Sequence, residues 1–222
     1  MKYICICVCF LCLLIIPFIF LFTTNANTKD YYILNHGNKG LVILIQGSKK
    51  TVISDTYYQS IGPYMDDYMV VTYTLPYHDR ESPLEWWARK DMREIVRDNN
   101  YMIDIILEDY PIRPLILSGI SRGGYLSAMY PTADYYFLFS PVIDWNQLKE
   151  WKGKNKTQPM PSFRNDSIYY VYASRNDDRV NGTYVIDYVE KQCVLRICDI
   201  EIGNTSHSVP VKIFKEAVDL VF

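Results

Sequence analysis

The chain has 222 residues, of which 49% are hydrophobic and 22% are charged. This composition predicts one globular domain with a substantial core. The formal net charge is −2 and no block of Lys or Arg stands out, so the charge pattern argues against a nucleic-acid partner.

The amino-terminal segment is apolar over residues 3–22. This run exceeds the roughly 7–15 apolar residues of a usual secretory signal and approaches the roughly 20 that span a bilayer. We therefore expect residues 1–26 to be a signal peptide cleaved after Ala26 or a retained membrane anchor. Either alternative predicts an exported protein, secreted, periplasmic or membrane-anchored, with the domain at 27–222 outside the cytoplasm.

Two cysteines follow this leader, Cys193 and Cys198. In an exported domain they can form a disulfide. The alternative is a pair of buried thiols on neighbouring elements, and the sequence leaves both open.

The first half of the domain shows apolar runs separated by turn residues. Residues 31–35 and 41–46 are predicted strands, and the Gly and Asn residues between them predict a β-hairpin. Residues 68–75 predict a further strand. A capping box that begins at Ser82 predicts a helix from there to about Glu108.

The second half alternates between strands and helices. Strands are predicted at 115–119, 135–140, 167–174 and 194–202, and helices at 125–130, 183–191 and 208–222. The polar stretch 146–164 predicts a surface excursion or a small cap. Nearly continuous apolar strands that alternate with helices predict an α/β fold with a mostly parallel sheet flanked by helices on both faces. In such folds the site lies at the carboxyl ends of the strands.

A Gly-x-Ser-x-Gly pattern occupies residues 119–123, and another glycine follows it. The pattern alone is a weak signal. Here it stands between a predicted strand and a predicted helix, which is the context that a sharp turn exposing a nucleophilic serine requires. Ser121 is therefore the candidate nucleophile, and an ordinary strand-to-helix turn is the alternative.

A serine hydroxyl needs a base to act as a nucleophile. His207 is the only one of the three histidines that follows Ser121, and it lies in a polar loop after a predicted strand. Asp177 and Asp178 follow the predicted strand 167–174. A carboxylate there could hold the imidazole in the required tautomer, and a polar turn is the alternative.

Four stretches carry a resemblance to a known superfamily: GISRGG, FSPVIDW, ASRNDDRV and GNTSHSVP. In this order they resemble the α/β-hydrolase superfamily, in particular catalytic domains of the prolyl-oligopeptidase and dienelactone-hydrolase type. The resemblance extends over residues 41–222. It implies an α/β-hydrolase fold with a small or minimal cap, with Ser121 as nucleophile and His207 as base.

The resemblance also implies the acid and the oxyanion donors. The acid of these families lies three residues before the Val of a D-x-x-V pattern, so Asp177, three residues before Val180, is favoured over Asp178. The oxyanion hole uses two backbone amides. These would be the amide of Arg122 and the amide of Ser48, with Gly47 as the alternative to Ser48.

Three further side chains are candidates for a substrate pocket. Gln46 stands where these families usually have the His of a His-Gly pair, and His78 and Trp86 lie in the segment 77–87, which together with 146–164 could form the cap. The resemblance implies a serine hydrolase that needs no metal or cofactor. Its expected partner is a small-molecule or acylated substrate. If the amino-terminal segment is retained, residues 3–22 would also contact a membrane, and the oligomeric state stays open.

The implied reaction is cleavage of an ester, a thioester or an amide through an acyl-enzyme. An esterase is favoured over a peptidase because the sequence shows no evident peptide-gating domain. An acyltransferase that uses the same three residues is one alternative. A non-catalytic surface binding protein is the other, because a fold does not determine a function.

Overall fold

A seven-stranded sheet lies at the centre of the part of the chain that the computed structural model describes, residues 31–47, 65–75, 91–148, 158–193, 197–207 and 211–221. The strands are β1 (Tyr31–Asn35), β2 (Leu41–Ile45), β3 (Met69–Tyr73), β4 (Leu115–Ile120), β5 (Tyr135–Phe139), β6 (Ile168–Ser174) and β7 (Ile197–Gly203). The helices are α1 (Met92–Asp109), α2 (Arg122–Met129), α3 (Gly182–Cys193) and α4 (Val211–Val221).

The strand order is β1-β3-β2-β4-β5-β6-β7. β1 is antiparallel to β3, and every other neighbouring pair is parallel. The carboxyl ends of β2 to β7 therefore meet at one edge of the sheet. The predicted mostly parallel sheet is confirmed, and its carboxyl edge is where a site is expected.

The predicted hairpin of β1 and β2 is wrong, because β3 lies between these two strands. The end of β1 is held by the chain that precedes β3. The side-chain amide of Asn35 donates hydrogen bonds to the carbonyl oxygens of Met65 (3.0 Å), Asp66 (3.0 Å) and Tyr68 (2.9 Å). These partners are about 30 residues away along the chain, so the local turn pattern could not reveal them.

The predicted helix from Ser82 is also corrected. α1 begins at Met92, because Asp91 is extended at φ −68° and ψ 130° and its side chain accepts a hydrogen bond from the backbone amide of Arg93 at 2.9 Å. Because Asp91 is extended and caps α1, no single helix can run through Asp91 as the sequence predicted. Residues 82–90 themselves lie outside the described ranges.

The sheet is covered by helices on both faces, as predicted. Side chains alternate between the two faces along a strand. Leu41, Ile43 and Ile45 of β2 pack in a core with α1, α2 and α3, whereas Val42 and Leu44 pack in a second core with α4. Burial on both faces explains why β2 reads as a continuous apolar run rather than an alternating one.

Cys193 and Cys198 form a disulfide, with their Cα atoms 5.6 Å apart. The bond joins the end of α3 to β7, so it resolves the alternative that the sequence left open. In the described ranges no helix has the length and apolar character needed to cross a bilayer. The predicted leader at 1–26 lies outside those ranges, and its role stays a prediction.

Candidate active site

Ser121 occupies the turn between β4 and α2 in an unusual backbone conformation, with φ 58° and ψ −116°. An L-residue other than glycine rarely adopts a positive φ, and such residues are concentrated at functional sites. The segment after β4 is held by β5 and its continuation. The Ser121 amide donates to the carbonyl of Phe139 at 2.9 Å, and its carbonyl accepts from the amide of Val142 at 3.0 Å.

Two glycines allow the backbone to pack closely around this turn. A Cβ atom added to Gly123 would lie 2.0 Å from the carbonyl oxygen of Ile45, so only glycine lets α2 approach the end of β2. A Cβ atom added to Gly47 would lie 3.7 Å from the Cβ atom of Ser121. The chain that leaves β2 therefore passes directly beside the Ser121 side chain.

The loops after β6 and β7 bring Asp177 and His207 together. The Nδ1 atom of His207 lies 2.8 Å from Oδ2 of Asp177, and the two side chains are 13% and 2% exposed. The other carboxylate oxygen of Asp177 accepts the backbone amides of Arg179 at 2.8 Å and Val180 at 2.9 Å. Both oxygens of this buried carboxylate are thus engaged.

The environment of Asp177 keeps its carboxyl group ionised. Burial alone would raise the pKa of Asp177, because it disfavours the charged form. The hydrogen bonds from the His207 ring and from the Val180 amide oppose this effect and hold the pKa of Asp177 below its ordinary value. An ionised, hydrogen-bonded carboxylate is suited to fix the orientation of an imidazole.

Asp178 also binds His207, through a different atom. Oδ1 of Asp178 accepts the backbone amide of His207 at 2.9 Å, and this hydrogen bond is the main cause that lowers the pKa of Asp178. One carboxylate of the adjacent pair therefore orients the ring and the other holds the backbone. The sequence showed two adjacent aspartates but did not indicate that both would bind the same histidine.

Further contacts fasten the loop that carries the histidine to β6. The hydroxyl of Ser174 donates to the carbonyl of Thr205, and the hydroxyls of Tyr172 and Thr205 share a hydrogen bond of 2.8 Å. The side-chain amide of Asn176 donates to the carbonyl of Asn204 at 3.3 Å. Sequence reasoning missed these residues, because no local pattern marks a contact between side chains about 30 positions apart.

Ser121 and His207 lie at the same edge of the sheet, after β4 and in the loop that follows β7. Among the contacts between described residues, no hydrogen bond joins the Ser121 hydroxyl to the His207 ring. Catalytic hydrogen bonds are often long or poorly aligned until a substrate binds. Asp177 and His207 are thus in contact, and Ser121 lies on the same edge of the sheet.

The remaining candidates fall into two groups. Arg122 is the first residue of α2, and its buried guanidinium lies over the ring of Trp145 at 5.3 Å from the centroid. Gln46 is buried directly after β2, in the chain that leads to Gly47. The other three candidates, Ser48, His78 and Trp86, lie outside the described residues, and their roles stay predictions.

A cleft of about 450 Å³ adjoins Asp177. Its walls are residues 146–148 and the loop between β6 and α3. This volume is within the range of small-molecule sites, about 300–1,000 Å³. No group of three or more His, Cys, Asp or Glu residues in the described ranges is arranged to hold a metal ion.

No protein-family model matches this chain, and no curated protein matches it either. Solved structures do match. The esterase Pf2001 of Pyrococcus furiosus is 14% identical, with 86% of this chain and 84% of that one covered and a TM-score of 0.64. Esterase 2 of Thermogutta terrifontis is 14% identical, with 86% of each chain covered and a TM-score of 0.64.

A carboxylesterase of Bacillus cereus is similar over 91% of this chain and 99% of its own, at 14% identity and a TM-score of 0.59. A likeness at this level of identity defines the fold rather than the activity. The strand order, the helices on both faces and these similarities together lead to one conclusion. The chain has the α/β-hydrolase fold.

Proposed function

We propose that this protein is a serine hydrolase that cleaves esters of small molecules through an acyl-enzyme. The observation that carries the proposal is the hydrogen bond between Asp177 and His207, at the edge of the sheet where Ser121 stands in a strained turn. The similar structures that are esterases or carboxylesterases support the choice of substrate.

Asp177 would prepare His207 for proton transfer. With Oδ2 of Asp177 accepting the Nδ1 proton, the lone pair of the imidazole is on Nε2. Nε2 then takes the proton of the Ser121 hydroxyl as Oγ forms a bond to the carbonyl carbon of the ester. The positive imidazolium that results is stabilised by the adjacent ionised carboxylate.

The negative oxygen of the tetrahedral intermediate requires two hydrogen-bond donors. Arg122 is the first residue of α2, and the amide at such a position has no acceptor within its own helix. The proposed donors are the amides of Arg122 and Ser48. The second donor is proposed in the loop after β2 because the backbone of Gly47, in that loop, passes beside Ser121.

Collapse of the intermediate breaks the bond between the carbonyl carbon and the alkoxy oxygen. His207 returns the proton to that oxygen, and the alcohol leaves while Ser121 keeps the acyl group. Water then loses a proton to His207 and attacks the acyl-enzyme. The acid is released as the proton returns to Ser121.

Within the fold, we propose a relation to the prolyl-oligopeptidase and dienelactone-hydrolase type. The support is the D-x-x-V arrangement, in which Asp177 lies three residues before Val180 and the amide of Val180 donates back to the Asp177 carboxylate. Action outside the cytoplasm is also proposed. Its support is the apolar run at residues 3–22 and the disulfide of Cys193 and Cys198.

A fluorophosphonate probe tests the proposed nucleophile, because it forms a covalent bond with an activated serine. The full chain is treated with the probe, and the labelled peptide is identified by mass spectrometry. Ser121→Ala should abolish both labelling and hydrolysis of a p-nitrophenyl ester. Ser127→Ala is the matched control, since Ser127 lies in α2 and, among the described residues, its hydroxyl bonds only the carbonyl of Gly123 at 2.8 Å.

The control variant should be labelled like the original protein. The proposal is refuted if the folded protein is not labelled and does not hydrolyse the ester. It is equally refuted if Ser121→Ala is labelled to the same extent as the original chain.

A further inference from the structure

Ser140 shares an unusual feature with Ser121. In the described ranges these two serines are the only residues other than glycine with a positive φ, 43° for Ser140 and 58° for Ser121. Each stands directly after a strand, and the two strands, β5 and β4, are parallel neighbours. A glycine would adopt this conformation at a lower cost in free energy. The backbone at Ser140 therefore does not by itself explain why a serine is present.

The hydroxyl of Ser140 is buried without a hydrogen-bond partner. The residue is 3% exposed, and no described atom accepts from or donates to its Oγ atom. A buried hydroxyl that lacks a partner destabilises a fold. In native structures such a group calls for an explanation, for example stored strain, a catalytic role, or a bound water or ion. Ser140 therefore brings the fold two local costs in free energy, its positive φ and its buried hydroxyl, and that hydroxyl makes no hydrogen bond to a described atom.

Ser140 lies against the nucleophile turn. The residue before it, Phe139, accepts the amide of Ser121 at 2.9 Å, and Val142 donates its amide to the carbonyl of Ser121 at 3.0 Å. Because one hydrogen bond lies on each side of Ser140, the backbone that carries its hydroxyl is fixed beside the serine that we propose as the nucleophile.

Ser140 is also connected to the loop of the proposed base. Its amide donates to the carbonyl of Tyr172 at 2.7 Å. The hydroxyl of Tyr172 shares a hydrogen bond of 2.8 Å with the side chain of Thr205, two residues before His207. Ser140 thus stands on the carboxyl edge of the sheet between the ends of β4 and β6, on the path from the nucleophile to the base.

We propose that Ser140 is a positioning residue of this site, whose buried hydroxyl, unpaired among the described atoms, gains a hydrogen bond to the turn of Ser121 when the Ser121 hydroxyl and the His207 ring come together for proton transfer. The inference rests on the proposed function and adds a fourth side chain to it. It explains why a serine with a buried hydroxyl occupies a position whose backbone favours glycine.

Two variants separate this role from a structural one. Ser140→Ala removes only the hydroxyl, and Ser140→Gly also relieves the positive φ. Neither variant should lower the denaturant midpoint of unfolding, because each removes an unpartnered hydroxyl. We expect kcat for a p-nitrophenyl ester to fall about 10- to 100-fold in both variants, with KM changed less than about twofold.

Ser118→Ala is the matched control. Ser118 lies within β4, is fully buried and also has a hydroxyl without a partner among the described atoms, but it is three residues before the nucleophile turn. Its removal should leave kcat unchanged. A purely structural effect of deleting a buried hydroxyl would act alike on Ser118→Ala and on Ser140→Ala.

The outcomes distinguish the inference from the function on which it rests. Labelling of Ser121 by the fluorophosphonate probe is measured first, and its absence refutes both. If Ser121 is labelled but both Ser140 variants keep kcat within about threefold of the original value, only the inference is overturned. It is also overturned if Ser118→Ala loses as much activity as Ser140→Ala, or if the two Ser140 variants lose activity only by unfolding.

Discussion

The substitution Asp177→Asn tests the chemistry of the Asp–His contact with little change of shape. Oδ1 of Asp177 accepts two backbone amides, from Arg179 and Val180, while Oδ2 faces Nδ1 of His207. An asparagine satisfies the two amides only with its carbonyl oxygen. We therefore expect its NH2 group to face the histidine ring.

This orientation reverses the hydrogen bond to the imidazole. Nδ1 of His207 must then act as the acceptor, so the ring proton moves to Nε2, the atom that should take the proton of Ser121. In a serine protease, the same carboxylate-to-amide change with intact geometry lowers kcat by about 10⁴. Here we expect a loss of about 10³–10⁴, which corresponds to about 4–5 kcal/mol of transition-state stabilisation.

The adjacent carboxylate provides the control. Oδ1 of Asp178 accepts the backbone amide of His207 at 2.9 Å, and the amide oxygen of an asparagine can accept the same bond. Asp178→Asn also removes one negative charge from the same loop. We expect its kcat to stay within about threefold of the original value, because the ring and its tautomer are not affected.

Steady-state hydrolysis of a p-nitrophenyl ester measures both variants, and circular dichroism confirms that each is folded. If the ring tautomer controls activity, the loss of kcat in Asp177→Asn should exceed that in Asp178→Asn by at least about a hundredfold. Two results would refute it. One is a kcat of Asp177→Asn within tenfold of the original protein, and the other is equal losses in the two variants.

Three further predictions follow from the geometry. Because the pKa of Asp177 is lowered by folding, its carboxylate stabilises the fold above about pH 4. The free energy of unfolding of the original protein, measured in urea, should therefore exceed that of Asp177→Asn by less and less as the pH is lowered. Gly123→Ala should lose at least about 2 kcal/mol of stability and its probe labelling, since its Cβ atom would meet the Ile45 carbonyl at 2.0 Å. Replacing Cys193 and Cys198 by alanine should lower the free energy of unfolding in urea by about 2 kcal/mol and leave kcat unchanged.

Each of these has a result that would contradict it. A stability difference that grows below pH 4 would show that the Asp177 carboxylate is not favoured by the fold. Full labelling of Gly123→Ala would show that α2 can move away from β2 without disturbing Ser121. A large fall in kcat after removal of the cysteines would show that the disulfide also determines the position of the base.

The alternation of strands and helices was predictable because it depends on local patterns. Parallel strands buried on both faces read as continuous apolar runs, and β2 is such a run. The place of β1 was not predictable, because it depends on Asn35 and its partners about 30 residues later. The start of α1 was misjudged for a different reason. Both Ser82 and Asp91 are capping residues by type, and only the backbone conformation identifies the cap that is used.

The site could be predicted from residue types and their order, but its supports could not. Ser121 stands between glycines, and His207 is the single histidine that follows it, so both were visible as candidates. The choice of Asp177 over Asp178 relied on a family pattern, and the structure places the first on the ring and the second on the backbone amide. The positive φ of Ser140 and its buried hydroxyl leave no mark in the sequence, because serine is also common in ordinary turns.

The position of β7 has a consequence for how activity would fail. In the described sheet β4 is paired on both sides, whereas β7 is the outermost strand and pairs only with β6. Outer strands open by local fluctuation more readily than central ones. The proposed base follows the outermost strand and the proposed nucleophile follows a central one, so warming or mild denaturant should separate them while most of the sheet is intact. The protein should therefore lose its activity before it loses its fold.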